Sequence, residues 1–161
     1  MKPLRKVLHD IFPNAQIVGD KRPLYHLQLD TLTEIENMFP VVIYRDPRDV
    51  ALSALRMSQT SWGHFEWAKN VDLLAERWVA AIDHMERYAD RIYCLRYEDF
   101  VTSPVFVMTG LGEWLGVDPD GFECKRVHAM SIGKYKDGLS ANQIERVLAI
   151  AGPTMKRLGY I

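Results

Sequence analysis

Two short stretches of the chain are apolar without alternation, Val41-Val42-Ile43-Tyr44 and Ile92-Tyr93-Cys94-Leu95. Such runs of β-branched and aromatic residues suit strands of a parallel sheet covered on both faces. A third candidate strand, interrupted by one polar residue and ended by Gly19, is Ala15-Gln16-Ile17-Val18. Between these runs the period changes. From Val71, apolar residues at Leu74, Trp78, Ala81, Ile82, Met85 and Tyr88 recur at steps of three and four, which makes one helical stripe. Pro104 suits the first position of another helix, with Ser103 as N-cap and Gly116 as its stop. Val107, Leu111, Trp114 and Leu115 form its inner face. Ser140 caps a helix carrying Ile144, Val147, Leu148 and Ala151, expected to break at Gly152-Pro153. Leu24 to Met38 is expected to be helical, with Pro40 leading into the next strand. Strands alternating with helices predict an α/β fold with a mostly parallel sheet. In such sheets ligands bind beyond the carboxyl ends of the strands, which directs attention to the loops after Tyr44 and Leu95.

The first loop reads Arg45-Asp46-Pro47-Arg48-Asp49-Val50-Ala51-Leu52-Ser53. Asp46 is a good N-cap, Pro47 a good first helical residue, and Asp49 stands at the capping-box position. A helix that starts directly after a buried strand turns free backbone N–H groups and a positive dipole end toward the cleft. Arg45 adds a cation with bidentate geometry for phosphate, and the Ser53 hydroxyl, one turn beyond Asp49, can point to the same cleft. Capping alone also accounts for Asp46, Pro47 and Asp49, with Arg45 as a surface residue. The second loop reads Arg96-Tyr97-Glu98-Asp99-Phe100. There Tyr97 can stack on a base, or simply pack beneath the loop.

Taken together, these pieces carry a family resemblance. The strand followed by Arg-x-Pro-x-Asp-x-x-x-Ser resembles the 3′-phosphate motif of the sulfotransferases, which use 3′-phosphoadenosine 5′-phosphosulfate (PAPS). Leu95-Arg96-Tyr97-Glu98-Asp99-Phe100, followed by Ser103-Pro104, is similar to that family's next signature. Ser131-Ile132-Gly133-Lys134-Tyr135-Lys136-Asp137-Gly138-Leu139-Ser140 resembles its late loop, with Tyr135 where Trp is usual. Met155-Lys156-Arg157-Leu158-Gly159-Tyr160 is similar to a bacterial ending of the family. Gly19-Asp20-Lys21-Arg22-Pro23-Leu24-Tyr25 looks like the Glu-Lys-x-Pro-x-Tyr stretch of the heparan-type branch, with Asp20 in place of Glu.

The resemblance implies a three-layer α/β/α sandwich with a parallel sheet, like the P-loop nucleotide kinases. It implies that Arg45 and Ser53 bind the 3′-phosphate, that Tyr97 lies near the adenine, and that Lys134 and Lys136 close over the same phosphate. Lys21 would lie near the transferred sulfuryl group or the acceptor, as the catalytic candidate. The acceptor would be a small molecule or carbohydrate offering a hydroxyl or amine. His26 and His64 are candidate general bases by residue type only. The aromatic stretch Ser61-Trp62-Gly63-His64-Phe65-Glu66-Trp67 would border the acceptor pocket.

One family element has no counterpart here. No Pro-Lys-x-Gly-Thr-Thr stretch, whose backbone N–H groups and lysine hold the 5′-phosphosulfate, occurs in the sequence. Residues 1–161 are therefore expected to form a single sulfotransferase-like domain truncated at its amino end. The alternatives are a non-catalytic relative that binds a 3′-phosphate nucleotide, or an interaction module that forms a homo-oligomer to cover the lost strand.

Composition narrows the class. The 161 residues carry 20 Lys plus Arg against 21 Asp plus Glu, for a net charge of −1, which speaks against a nucleic-acid-coating protein. No apolar run approaches the ~20 residues of a membrane span. Two cysteines without CxxC spacing supply neither a disulfide framework nor a metal site. The expected setting is cytoplasmic, with neither a nucleic-acid nor a membrane partner.

Overall fold

Pro40 ends the preceding turn, and the two apolar runs that follow in the sequence pair with each other. The computed structural model describes residues 2–60 and 63–161. Strand β1 (Val41–Tyr44) lies parallel to β2 (Tyr93–Arg96), with Val42 beside Cys94 and Tyr44 beside Arg96. The second strand starts one residue later than its apolar run. Its ladder begins where the Tyr93 N–H donates to the Pro40 carbonyl at 3.0 Å, and Ile92 is buried just before it. These are the two strands of the sheet among the described residues.

The rest is mainly helical: α1 (Lys2–Ile11), α2 (Leu29–Leu32), α3 (Pro47–Ser58), α4 (Val71–Arg87), α5 (Tyr97–Thr102), α6 (Pro104–Leu115), α7 (Tyr135–Gly138) and α8 (Ala141–Arg157). Paired residues in a parallel ladder share a face. Val42 and Tyr44 pack on a large apolar cluster built from α3, α4 and α8, including Trp78, Ile82 and Val147. Tyr93 and Leu95, on the other face, meet a smaller cluster with Met108 and Leu111 of α6. Among the described residues, no helix is long and apolar enough to cross a membrane.

Several local expectations hold in detail. The stripe predicted from Val71 buries Leu74, Trp78, Ile82 and Met85. Gly116 ends α6 at φ 70°, the left-handed region that glycine enters freely. At the start of α8, the Ser140 hydroxyl accepts from the Gln143 N–H at 3.2 Å, and Gln143 Oε1 accepts from the Ser140 N–H at 2.8 Å. Together these form a complete capping box.

Four expectations are corrected. Ala15 to Val18 is not a strand, since it has no ladder partner among the described residues and its Ile17 is exposed. Leu24 to Met38 is not one helix but a 3₁₀ turn (Tyr25–Gln28) running into α2. The Thr33 hydroxyl turns back to the Leu29 carbonyl at 2.7 Å, and Asn37 sits at φ 56°, so the helix cannot propagate. The Ser103 side chain does not cap α6, and the residue also closes α5 through its N–H to the Asp99 carbonyl at 2.9 Å. Finally, α8 runs straight through Gly152-Pro153. Proline inside a helix costs about 3 kcal/mol. Four residues on either side of it, Val147, Ala151, Thr154 and Met155, are buried and hold the helix in place.

Replacing Ser140 by Ala removes one half of the capping box. Urea denaturation should show a loss of about 1 kcal/mol with an unchanged m-value.

Candidate functional site

Both strands deliver an arginine to the same end of the sheet, Arg45 just past β1 and Arg96 as the last residue of β2. Helix α3 starts at once because Asp46 caps it, its Oδ1 accepting from the Arg48 N–H at 2.9 Å, and because Pro47 is preset for the first helical position. The Arg48 side chain then folds back on its own cap, with Nε 3.0 Å from Oδ1 and Nη2 2.6 Å from Oδ2 of Asp46.

Asp49 does something the local pattern does not show. It is not the partner in a capping box. Its side chain is 0% exposed, and it reaches across to the loop before α7. Oδ2 accepts from the Gly133 N–H at 2.8 Å and Oδ1 from the Tyr135 N–H at 2.9 Å. Arg45 Nη2 stands 3.1 Å from Oδ2. A buried carboxylate is tolerable only when its lone pairs are met in this way. Gly133 adopts φ 73°, and this turn is what aims its N–H at the carboxylate.

Arg45 is held on several sides. Its Nη2 donates to the Ser131 carbonyl, and its guanidinium lies over the Tyr97 ring, 4.6 Å from the centroid. Its own carbonyl accepts from Trp78 Nε1 at 2.9 Å, which fixes the strand tip to α4. Its Nε, however, is buried and has no hydrogen-bond partner among the described residues. Such a donor is costly to leave unmet, and an anion oxygen would meet it.

The same grouping occurs three times. Arg45 lies between Asp49 and Tyr97, Arg48 between Asp46 and Tyr135 (4.2 Å to the ring centroid), and Arg96 between Glu98 and Tyr160 (4.1 Å). Glu98 ties the third group to the first strand, since Oε1 accepts from the Asp46 N–H at 2.9 Å and Oε2 from the Tyr160 hydroxyl at 2.9 Å. Arg96 Nε is 3.5 Å from Glu98 Oε2, an ion pair without a hydrogen bond. Burial pushes the Tyr160 phenol well above its ordinary pKa, and the adjacent Glu98 carboxylate adds to the shift.

With this geometry in view, comparison with known proteins is decisive at the level of the family. The profile of the sulfotransferase family matches residues 4–121. The chain belongs to the sulfotransferase family. No match was found among curated proteins or among solved structures.

The residues singled out from the sulfotransferase motifs fall into two sets. Arg45 and Tyr97 are in contact, while Lys134, just before α7, and Lys136, within it, are exposed next to the two N–H groups that Asp49 holds. Their backbones take part in the turn, Lys136 N–H donating to the Gly133 carbonyl at 3.1 Å and the Lys134 carbonyl accepting from the Asp137 N–H at 3.3 Å. Ser53 lies on α3 with an exposed side chain. Lys21 is exposed and outside this hydrogen-bonded cluster, its N–H donating to Asp20 Oδ1 at 2.8 Å. The other Asp20 oxygen accepts from the Tyr25 hydroxyl at 2.7 Å, a bond that holds the Asp20 carboxyl below its usual range. His26 Nδ1 is 2.7 Å from the Pro23 carbonyl oxygen, and the exposed His64 ring lies 3.9 Å from that of Phe65. In the aromatic stretch, Ser61 and Trp62 lie outside the described residues. Among the described residues, no group of three or more His, Cys, Asp and Glu side chains is placed to hold a metal ion.

Sequence reasoning missed Glu98 and Tyr160 as parts of the site, and it missed the reach of Asp49. The available signal for Glu98 was its place in Arg96-Tyr97-Glu98, beside an arginine and a tyrosine.

The raised Tyr160 pKa has a consequence for stability. The unfolded chain loses this proton near pH 10 while the folded chain keeps it, so the contribution is fully present below about pH 10 and is lost as pH rises further. In Tyr160→Phe, the alkaline fall of unfolding free energy above pH 10 should be shallower than in wild type, by up to about 1.4 kcal/mol per pH unit.

Proposed function

We propose that this domain is a PAPS-dependent sulfotransferase, binding the 3′-phosphate side of the nucleotide at the tip of β1. The sulfuryl group would go to a hydroxyl or amine of a small-molecule or carbohydrate acceptor. The observation that carries this reading is the buried, unmet Nε of Arg45. It is a fixed donor on an arginine already oriented by Tyr97 and Asp49, with Lys134 and Lys136 exposed on the neighbouring loop. Guanidinium and ammonium donors at a strand tip that runs into a helix N-terminus make a site for a phosphate dianion.

The residues present fit the 3′ half of the nucleotide. Arg45, Ser53, Lys134 and Lys136 would hold the 3′-phosphate, and Tyr97 would pack beside the adenine. PAPS supplies the activated sulfuryl group. Lys21 is assigned to the region of the transferred group, where a cation offsets developing negative charge. The reading carries with it the three-layer arrangement of the P-loop nucleotide kinases. The free thiols of Cys94 and Cys124 fit a reducing, cytoplasmic setting.

Adenosine 3′,5′-bisphosphate should raise the melting temperature in a concentration-dependent way, by the equivalent of about 2.7 kcal/mol at a hundred times Kd. Arg45→Ala should abolish the shift and Ser53→Ala should reduce it. A melting curve that stays unchanged up to millimolar nucleotide refutes the reading.

A further inference from the structure

The segment bearing Lys134 and Lys136 makes backbone turns of its own, such as Lys136 N–H to the Gly133 carbonyl at 3.1 Å, and Asp49 ties it to α3. Both of its backbone bonds to Asp49 come from the residues flanking Lys134, namely Gly133 and Tyr135. The fit against α3 is close. A Cβ on Gly138 would come within 2.6 Å of Leu52 Cδ1, and Tyr135 is stacked under Arg48. Asp49 therefore touches the backbone on either side of Lys134 and the guanidinium of Arg45 at once, joining two segments distant in the sequence.

We propose that Asp49 is the positioning residue for recognition of the 3′-phosphate: its buried carboxylate sets where the Lys134 and Lys136 ammonium groups stand relative to Arg45. This rests on reading the site as a 3′-phosphate cradle. It gives the acid a role opposite to its charge. A carboxylate 3.1 Å from Arg45 weakens the local positive potential, so charge alone predicts that removing it tightens anion binding. Positioning predicts the reverse. An Asn at this place keeps one acceptor oxygen and puts an amide donor against a backbone donor, so either Gly133 or Tyr135 loses its acceptor. The loop then no longer holds its lysines in place.

The test compares binding of adenosine 3′,5′-bisphosphate with that of adenosine 5′-monophosphate by titration calorimetry, the affinity ratio reporting the 3′-phosphate alone. In Asp49→Asn the ratio should fall about tenfold. Lys134→Ala/Lys136→Ala should lower the ratio too, and adding Asp49→Asn to that pair should cost nothing further. A purely structural loss would instead add to the lysine loss. Gly133→Ala strains the left-handed turn while leaving the carboxylate intact, and should also lower the ratio. That variant decides the matter if Asp49→Asn does not fold. A raised ratio in Asp49→Asn, additive losses, or an unchanged ratio in Gly133→Ala each overturns the proposal. A wild-type protein that does not prefer the bisphosphate overturns the cradle reading, and the proposal with it.

Discussion

A fully buried carboxylate imposes more order than any other group in this molecule. Asp49 cannot be solvated where it lies, so the residue after β1 and the segment entering α7 must bring donors to it. The left-handed turn at Gly133 and the glycine at 138 follow from that demand. One sets the direction of an N–H, and the other lets the loop approach Leu52. The hydrophobic clusters hold the helices against the sheet, but they do not specify how the loop meets the strand tip.

Around this centre, three arginines are each matched by one acid and one tyrosine ring. Each guanidinium thus has a carboxylate within ion-pair distance and the π face of a tyrosine beside it. Because each positive charge has its acid, the cluster adds little to the net charge of the chain. Its binding power comes instead from donor directions, above all from the unmatched Nε of Arg45, and from the two lysines added on the loop. That is how a chain with a net charge of −1 can present a site for an anion.

What could be read from the sequence is what neighbouring residues decide. The continuous apolar run of β1, the stripe of α4, the caps at Asp46 and Ser140 and the stop at Gly116 depend on spacings of a few residues, and each stands where the pattern puts it. The failures have the opposite character. Ala15 to Val18 has the composition of a strand but meets no partner among the described residues, and α8 passes through Pro153 because its buried face outweighs a local defect. At the site, Arg45 and Tyr97 were legible as chemistry. Asp49 resembled a cap because its real partners stand 84 and 86 residues further along the chain.

Those separations also bear on how the molecule comes into being. The site joins Arg45 to Ser131 across 86 residues, Asp46 to Glu98 across 52, and Glu98 to Tyr160 across 62. Each contact requires a long loop to close before it returns any stabilisation, whereas α4 and its neighbours gain from local bonds at once. By loop-closure entropy alone, the cluster is expected to form late in folding, after the helices have collapsed on the sheet. Damage there speeds unfolding more than it slows folding. The part of the protein with the most specific chemistry is in this sense the part expected to form last.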